Sequence, residues 1–346
     1  MVDYENSSQL HKWMFSSPHE LQRCRTHANR QAREYITAQT ETSNNTPTPS
    51  YFAAEWKNHS LDDNNLPNEH EHFLTADEET TLVHFYAHKL PNLIGPHALR
   101  IRRESKITAT AALFLRRFFL SNSVLLYDPK VVMVAAAFLA SKVEDATVDI
   151  RQLEEGTEAM NAPVPTSDII TTEVALLEGL HFDLRCFHPY KAVVALTEDL
   201  RTFLKTKVGQ ALFVRNNNNN SMISGQDLIP IYERARTLVD HAVLSDIPLL
   251  YAPGQVGLAA LMLAQQQQTE LQMDLLGYLK VRFPEQNVAV LEPILQHLCD
   301  MLSQLEQQPE DDLSTLKAIH KKLKKVRVWG SKNNKGESKK KRKRDE

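Results

Sequence analysis

Few side chains in this sequence are spaced for chemistry. His84 and His88 stand one helical turn apart, the separation of two metal ligands on a helix face. No H-E-x-x-H run frames them and no third ligand is evident, so they read as face histidines and no metal is expected. Glu144 and Asp145 supply neighbouring carboxylates, but adjacent residues of a helix do not face each other. Cys24, Cys186 and Cys299 are far apart and odd in number, which suits a reduced compartment better than a disulfide framework. The 10 glycines include no G-x-G-x-x-G or G-x-x-x-x-G-K-S/T run, so phosphate cradles of those kinds are missing. No nucleophile–base constellation emerges, and a catalytic role is not expected.

One charge is conspicuous by position. From Val131 to Ala140 the chain is apolar on every side of a helix, and at Lys142 it turns abruptly charged. An all-apolar helix is surrounded by other helices. A cation where it surfaces either solubilises the helix end or meets a partner.

The elements that position it are helices. "SSPHE" opens one with Ser17 as cap, Pro18 at the first position and Glu20 completing a capping box, giving a helix over 17–38 within an N-terminal helix segment, 1–38. Residues 39–72, rich in Asn, Thr, Pro, Asp and His, read as a flexible linker. A second capping box, "TADE" at 75–78, starts a run of helices over 75–92, 103–121, 128–144 and 166–180. Another run follows over 188–205, 226–245, 252–268 and 284–307, with an insertion, "RNNNNNSMISG", at 215–225. No period-2 strand series appears, so the fold class is all-α. No apolar run approaches the roughly 20 residues of a membrane span, and "MVDYENSSQLHKW" lacks the pattern of a secretion signal.

The two runs are copies. "LSNSVLLYDPKVVMVAAAFLA" (120–140) and "LSDIPLLYAPGQVGLAALMLA" (244–264) share 11 of 21 positions at a constant offset of 124. Self-similarity of this kind marks a tandem architecture. The copies therefore span 73–185 and 186–307, each wrapped around one apolar helix, with a helix over 308–328 and a basic tail over 329–346. Lys142 aligns with Gln266, and Glu144 with Gln268. The fold-making residues persist in both copies and the charges do not, as expected if only the first copy has the partner. Charge is also divided along the chain. Residues 317–346 hold 14 Lys/Arg against 3 Asp/Glu, whereas residues 1–316 hold 26 against 40. An acidic body disfavours nucleic-acid binding, while "KKKRKR" at 339–344 fits a nuclear-import signal.

The tandem five-helix pattern, "RRFFLSNSV" leading to "FLASKVED", and "TEVALLEGLHFDL" resemble the cyclin family. The stretch before the first copy, "LSDIPLLYAPGQV" in the second and "EDDLSTLKAIHKKLKKV" after it resemble its transcription-associated branch, over most of residues 6–327. The resemblance implies two cyclin boxes and a non-catalytic activator of a protein kinase, with no cofactor. It implies as partners the catalytic subunit of the CDK-activating kinase, a RING-finger assembly subunit and the TFIIH core, in the nucleus. It assigns kinase contacts to Lys142 and Glu173, with Val143, Leu177, Phe182 and Leu184 at apolar positions of the same face. The M-R-A-I-L substrate-docking motif of cell-cycle cyclins is replaced by "TLVHFYAHKL". A cyclin C-like protein is the nearest alternative. A TFIIB-like, DNA-binding factor is a poorer one, because it would bring a Cys-rich zinc ribbon and basic repeats.

Overall fold

The computed structural model describes residues 4–41, 72–215, 223–268, 271–307 and 312–329. The 39–72 linker, the asparagine run and the basic tail lie almost wholly outside them. The described chain folds as two compact units.

The first unit combines Phe15–Leu184 with the chain from Asp312 onward. Its elements are α2 (Pro18–Glu41), α3 (Ala76–Leu93), the two-residue strands β1 (Ile94–Gly95) and β2 (Ile101–Arg102), α4 (Ser105–Ser121), α5 (Pro129–Val143), α6 (Ile150–Ala159), α7 (Thr166–Gly179) and α15 (Leu313–Val326). The second unit takes the N-terminal stretch to Met14, with α1 (Ser8–His11), and the chain from Arg185 to the end of α14. It holds α8 (Pro189–Phe203), α9 (Lys207–Leu212), β3 (Phe213–Arg215), α10 (Ile229–Ala242), α11 (Ile247–Leu250), α12 (Pro253–Gln266), β4 (Leu271–Met273), α13 (Leu275–Arg282) and α14 (Val288–Gln307). The strands form one parallel and one antiparallel pair and leave the architecture helical. Helices α1, α6, α9, α11 and α13 are short elements with no counterpart among the helices read from the sequence.

Local chemistry sets the ends. Thr75 and Glu78 form the capping box of α3, with Glu78 N donating to Thr75 Oγ1 at 3.2 Å and Thr75 N to Glu78 Oε2 at 2.7 Å. At α2 Ser17 Oγ accepts from Glu20 N, but the Glu20 carboxylate turns to Ser16, one residue earlier than expected. Helix α3 continues through Pro91. Asp128 caps α5, whose first residue is Pro129.

The repeat is visible in the packing, with one difference. In the second unit α12 is the apolar hub, packed by α8, α10 and α14. In the first, α5 packs against α3, α4, α6 and α7, yet α4 is still more enclosed: every residue from Ile107 to Ser121 is buried, Arg116 and Arg117 included. The cause is an added layer. Helix α2 lies over α4 and α3, and α15 lies against α3. The counterpart of α4 in the second unit, α10, buries only Ile231, Ala235, Leu238, Val239 and Ala242.

Candidate kinase-binding face

Helix α5 ends in a left-handed turn. Asp145 has φ 53°, Ala146 N donates to Ser141 O and Asp145 N to Lys142 O. This is the Schellman pattern, here without the usual glycine. Helices α6 and α7 end likewise, at Asn161 (φ 56°) and His181 (φ 51°). The abrupt stop leaves Lys142 in the last turn, on a surface shared with α7. Glu144 turns the other way, onto α4. It accepts from Thr110 Oγ1 at 2.6 Å and lies 3.6 Å from Lys106 Nζ, so it forms no carboxylate pair with Asp145.

Lys142 is held on two sides. Its Nζ sits 2.7 and 2.9 Å from the Glu173 carboxylate oxygens and 3.8 Å from the centroid of the Phe138 ring. The sequence-based expectation has both residues reaching outward; the structure brings them to each other. These roles are compatible. An ammonium has three donors and a carboxylate about four lone-pair sites, so each keeps capacity for a further bond. The Lys142 side chain is 41% exposed, and an ion pair at that exposure adds little to stability. Its effect is to fix the lysine.

An apolar strip adjoins the pair. On α7, Ile170 and Val174 are exposed and Leu177 is half-buried, at i, i+4 and i+7, with Glu173 among them. The opposite stripe, Ile169 and Leu176 with Leu180 beyond the helix end, is buried. Ile170 and Val174 are absent from the residues expected from sequence. Their signal was present as a second apolar stripe on one helix. Val143 is half-buried at the end of α5.

Beyond α7 the backbone is strained. Both His181 and Phe182 have positive φ, at 51° and 57°, a costly region for side chains of this size. The turn is held by Phe182 N to Leu177 O at 3.0 Å, His181 N to Glu178 O at 2.9 Å and Leu184 N to Phe182 O at 3.0 Å. Buried Arg117 of α4 reaches the Asp183 carbonyl at 3.4 Å. At Gly179 a Cβ would stand 2.6 Å from the Phe118 ring, so only glycine lets α7 approach α4 this closely. The product is a Phe182 side chain 66% exposed beside half-buried Leu184. Positive-φ residues of this kind cluster at binding and switch sites, which makes this turn a candidate contact surface.

His84 and His88 lie on α3 with ring centroids 6.3 Å apart, and His88 Nδ1 contacts the His84 carbonyl. No group of three or more metal-binding side chains occurs among the described residues. None of the described helices is long and apolar enough to cross a membrane.

Comparison with known proteins settles the family. Residues 57–185 match the cyclin N-terminal domain and residues 188–326 the cyclin C-terminal domain. The chain belongs to the cyclin family. Among its relatives, a putative cyclin-H of Dictyostelium discoideum is 26% identical over 260 residues, 75% of each chain. Cyclin CCL1 of Saccharomyces cerevisiae is 31% identical over 281 residues, covering 81% of this cyclin and 61% of the yeast protein. The same fold occurs in a chain of the Chaetomium thermophilum CAK complex, with TM-score 0.69 and 24% identity over 94% of this cyclin and 91% of that chain. The strip on α7 and the Lys142–Glu173 pair thus lie in the N-terminal box of a cyclin.

Proposed function

We propose that this cyclin is a cyclin H-like regulatory subunit that binds and activates a cyclin-dependent kinase through the α5–α7 face. The partner we assign is the catalytic subunit of the CDK-activating kinase, with a RING-finger assembly subunit, acting in the nucleus within TFIIH. The substrates in this reading are CDK activation loops and the C-terminal repeats of RNA polymerase II. The observation that carries it is the preset Lys142–Glu173 pair flanked by solvent-exposed Ile170, Val174 and Phe182. Support for the choice of kinase comes from the cyclin-H and CCL1 relatives.

The physics is a population shift. A protein kinase needs its strand lysine paired with the glutamate of a movable helix. A cyclin acts by binding the active placement of that helix better than the inactive one. Apolar Ile170, Val174, Leu177 and Phe182 supply burial for a helix face, and Lys142 and Glu173 supply bonds to its backbone end. Moving an equilibrium from 1:99 to 99:1 needs about 5.5 kcal/mol of differential binding. Two charge-assisted bonds at roughly 1.5–3 kcal/mol each supply much of this, if they form only with the active placement.

The test is to purify the tagged protein from its own cells, identify the bound kinase and assay it on polymerase II repeat peptides. The expected result is the kinase of the CDK-activating complex, active only with the cyclin present. Recovery of a mediator-type kinase would assign the protein to the cyclin C kind instead.

A further inference from the structure

Where the chain leaves α3 it forms a tethered loop that carries a surface of its own. Strands β1 and β2 pair Ile94 with Ile101 and Gly95 with Arg102. The Gly95 carbonyl accepts from Ala98 N at 3.2 Å and Arg103 N at 3.1 Å. Ala98 and Ile101 are buried and peg the loop, and a Cβ on Gly95 would stand 2.9 Å from the Pro91 carbonyl oxygen. Yet Leu99, between the pegs, is 82% exposed, more than any other large apolar residue described. His97, Arg100 and Arg102 around it are also exposed.

The neighbouring cations are occupied. Arg103 Nε donates to the Ala146 carbonyl at 3.3 Å, and Lys106 faces Glu144 at 3.6 Å. Arg100 and Arg102 have no carboxylate partner among the described residues. Their forks suit bidentate bonds to carboxylates. An apolar side chain kept in water on a fixed loop, beside two uncommitted guanidiniums, has little ordering entropy left to lose on binding.

We infer that the His97–Arg102 loop docks an acidic–apolar peptide segment of a protein partner, with its carboxylates on Arg100 and Arg102 and an apolar side chain over Leu99. This inference does not rest on the kinase reading. Peptide fits better than nucleic acid. Two guanidiniums release few counterions, and a phosphate chain gives Leu99 nothing to bury against.

The test places the photo-crosslinking residue p-benzoylphenylalanine at position 99 of the full-length chain, expressed with its kinase in its own cells. Crosslinked peptides are then identified by mass spectrometry. The expected result is a segment of another protein in which Asp or Glu flank apolar residues. Its yield should fall about tenfold or more when Arg100→Glu and Arg102→Glu are added, as lost charge-assisted bonds require, with activity of the bound kinase unchanged. A crosslink to nucleic acid, to a segment without acidic residues or within the same chain would overturn the inference. So would a crosslink that survives the charge reversal, or a yield no higher than from the same probe at exposed Val281.

Discussion

At the scale of single residues, the kinase contact proposed for Lys142 and Glu173 and the internal pair they form can be separated by mutation. Lys142→Glu and Glu173→Lys should each abolish most kinase activation while helical circular dichroism stays unchanged, since the pair lies at the rim of the core. The double reversal restores the internal pair. It still presents each side chain with the wrong charge to the kinase backbone, so activation should stay lost; full rescue would show that the pair acts only within the cyclin. Gln266→Glu, at the aligned position of the second copy, should be silent in the same assay. His181 offers a test of strain. Its φ of 51° costs about 1–2 kcal/mol for a residue with a Cβ, and glycine returns roughly 0.5–1 kcal/mol of that through the unfolded chain. His181→Gly should therefore stabilise by about 0.5–1 kcal/mol in urea titration. A destabilised variant would show that the histidine side chain contributes packing that outweighs the strain.

At the scale of elements, a buried carboxylate joins the flanking helix to the box. Glu79 of α3 accepts from Asn29 Nδ2 of α2 at 2.7 Å, Ser123 Oγ at 2.6 Å and Val124 N at 3.3 Å. The Val124 carbonyl accepts from Trp329 Nε1 at 2.8 Å, and Val328 N donates to Leu125 O, so the segment after α15 is tied to the same loop. Lys322 adds a pair to Glu78, the capping residue of α3. Burial drives the Glu79 carboxyl up to about 7, against the opposing effect of its hydrogen bonds and of Arg33. Because the folded value exceeds the unfolded one near 4.5, the native state binds more protons between those values. Stability should decline as pH rises from about 4.5 to 7, by up to about 3 kcal/mol from this group. Glu79→Gln should flatten that part of the stability–pH curve, measured by denaturant melts at successive pH values. An unchanged slope would mean that Glu79 is ionised across the whole window.

At the scale of the whole molecule, charge is divided between an acidic body and a basic end. Residues 332–346, outside the described structure, contain no apolar side chain to bury. Their deletion should leave kinase activation intact and lower nuclear accumulation of a fluorescent fusion; unchanged localisation would refute an import role for "KKKRKR". The sequence by itself determined the helical class, the tandem repeat and the position of Lys142, because helical periodicity, prolines at helix starts and capping boxes are local signals. Through family likeness it also put "TEVALLEGLHFDL" in the kinase face proposed here. Only the tertiary structure decided which stripe of α7 faces water, since Ile169 and Ile170 are chemically alike and neighbours alone choose between them. It decided that Lys142 and Glu173 meet, 31 residues apart in sequence. It also decided that α4 is the more enclosed helix of the first unit, because the cover comes from α2, an element that lies outside the repeat.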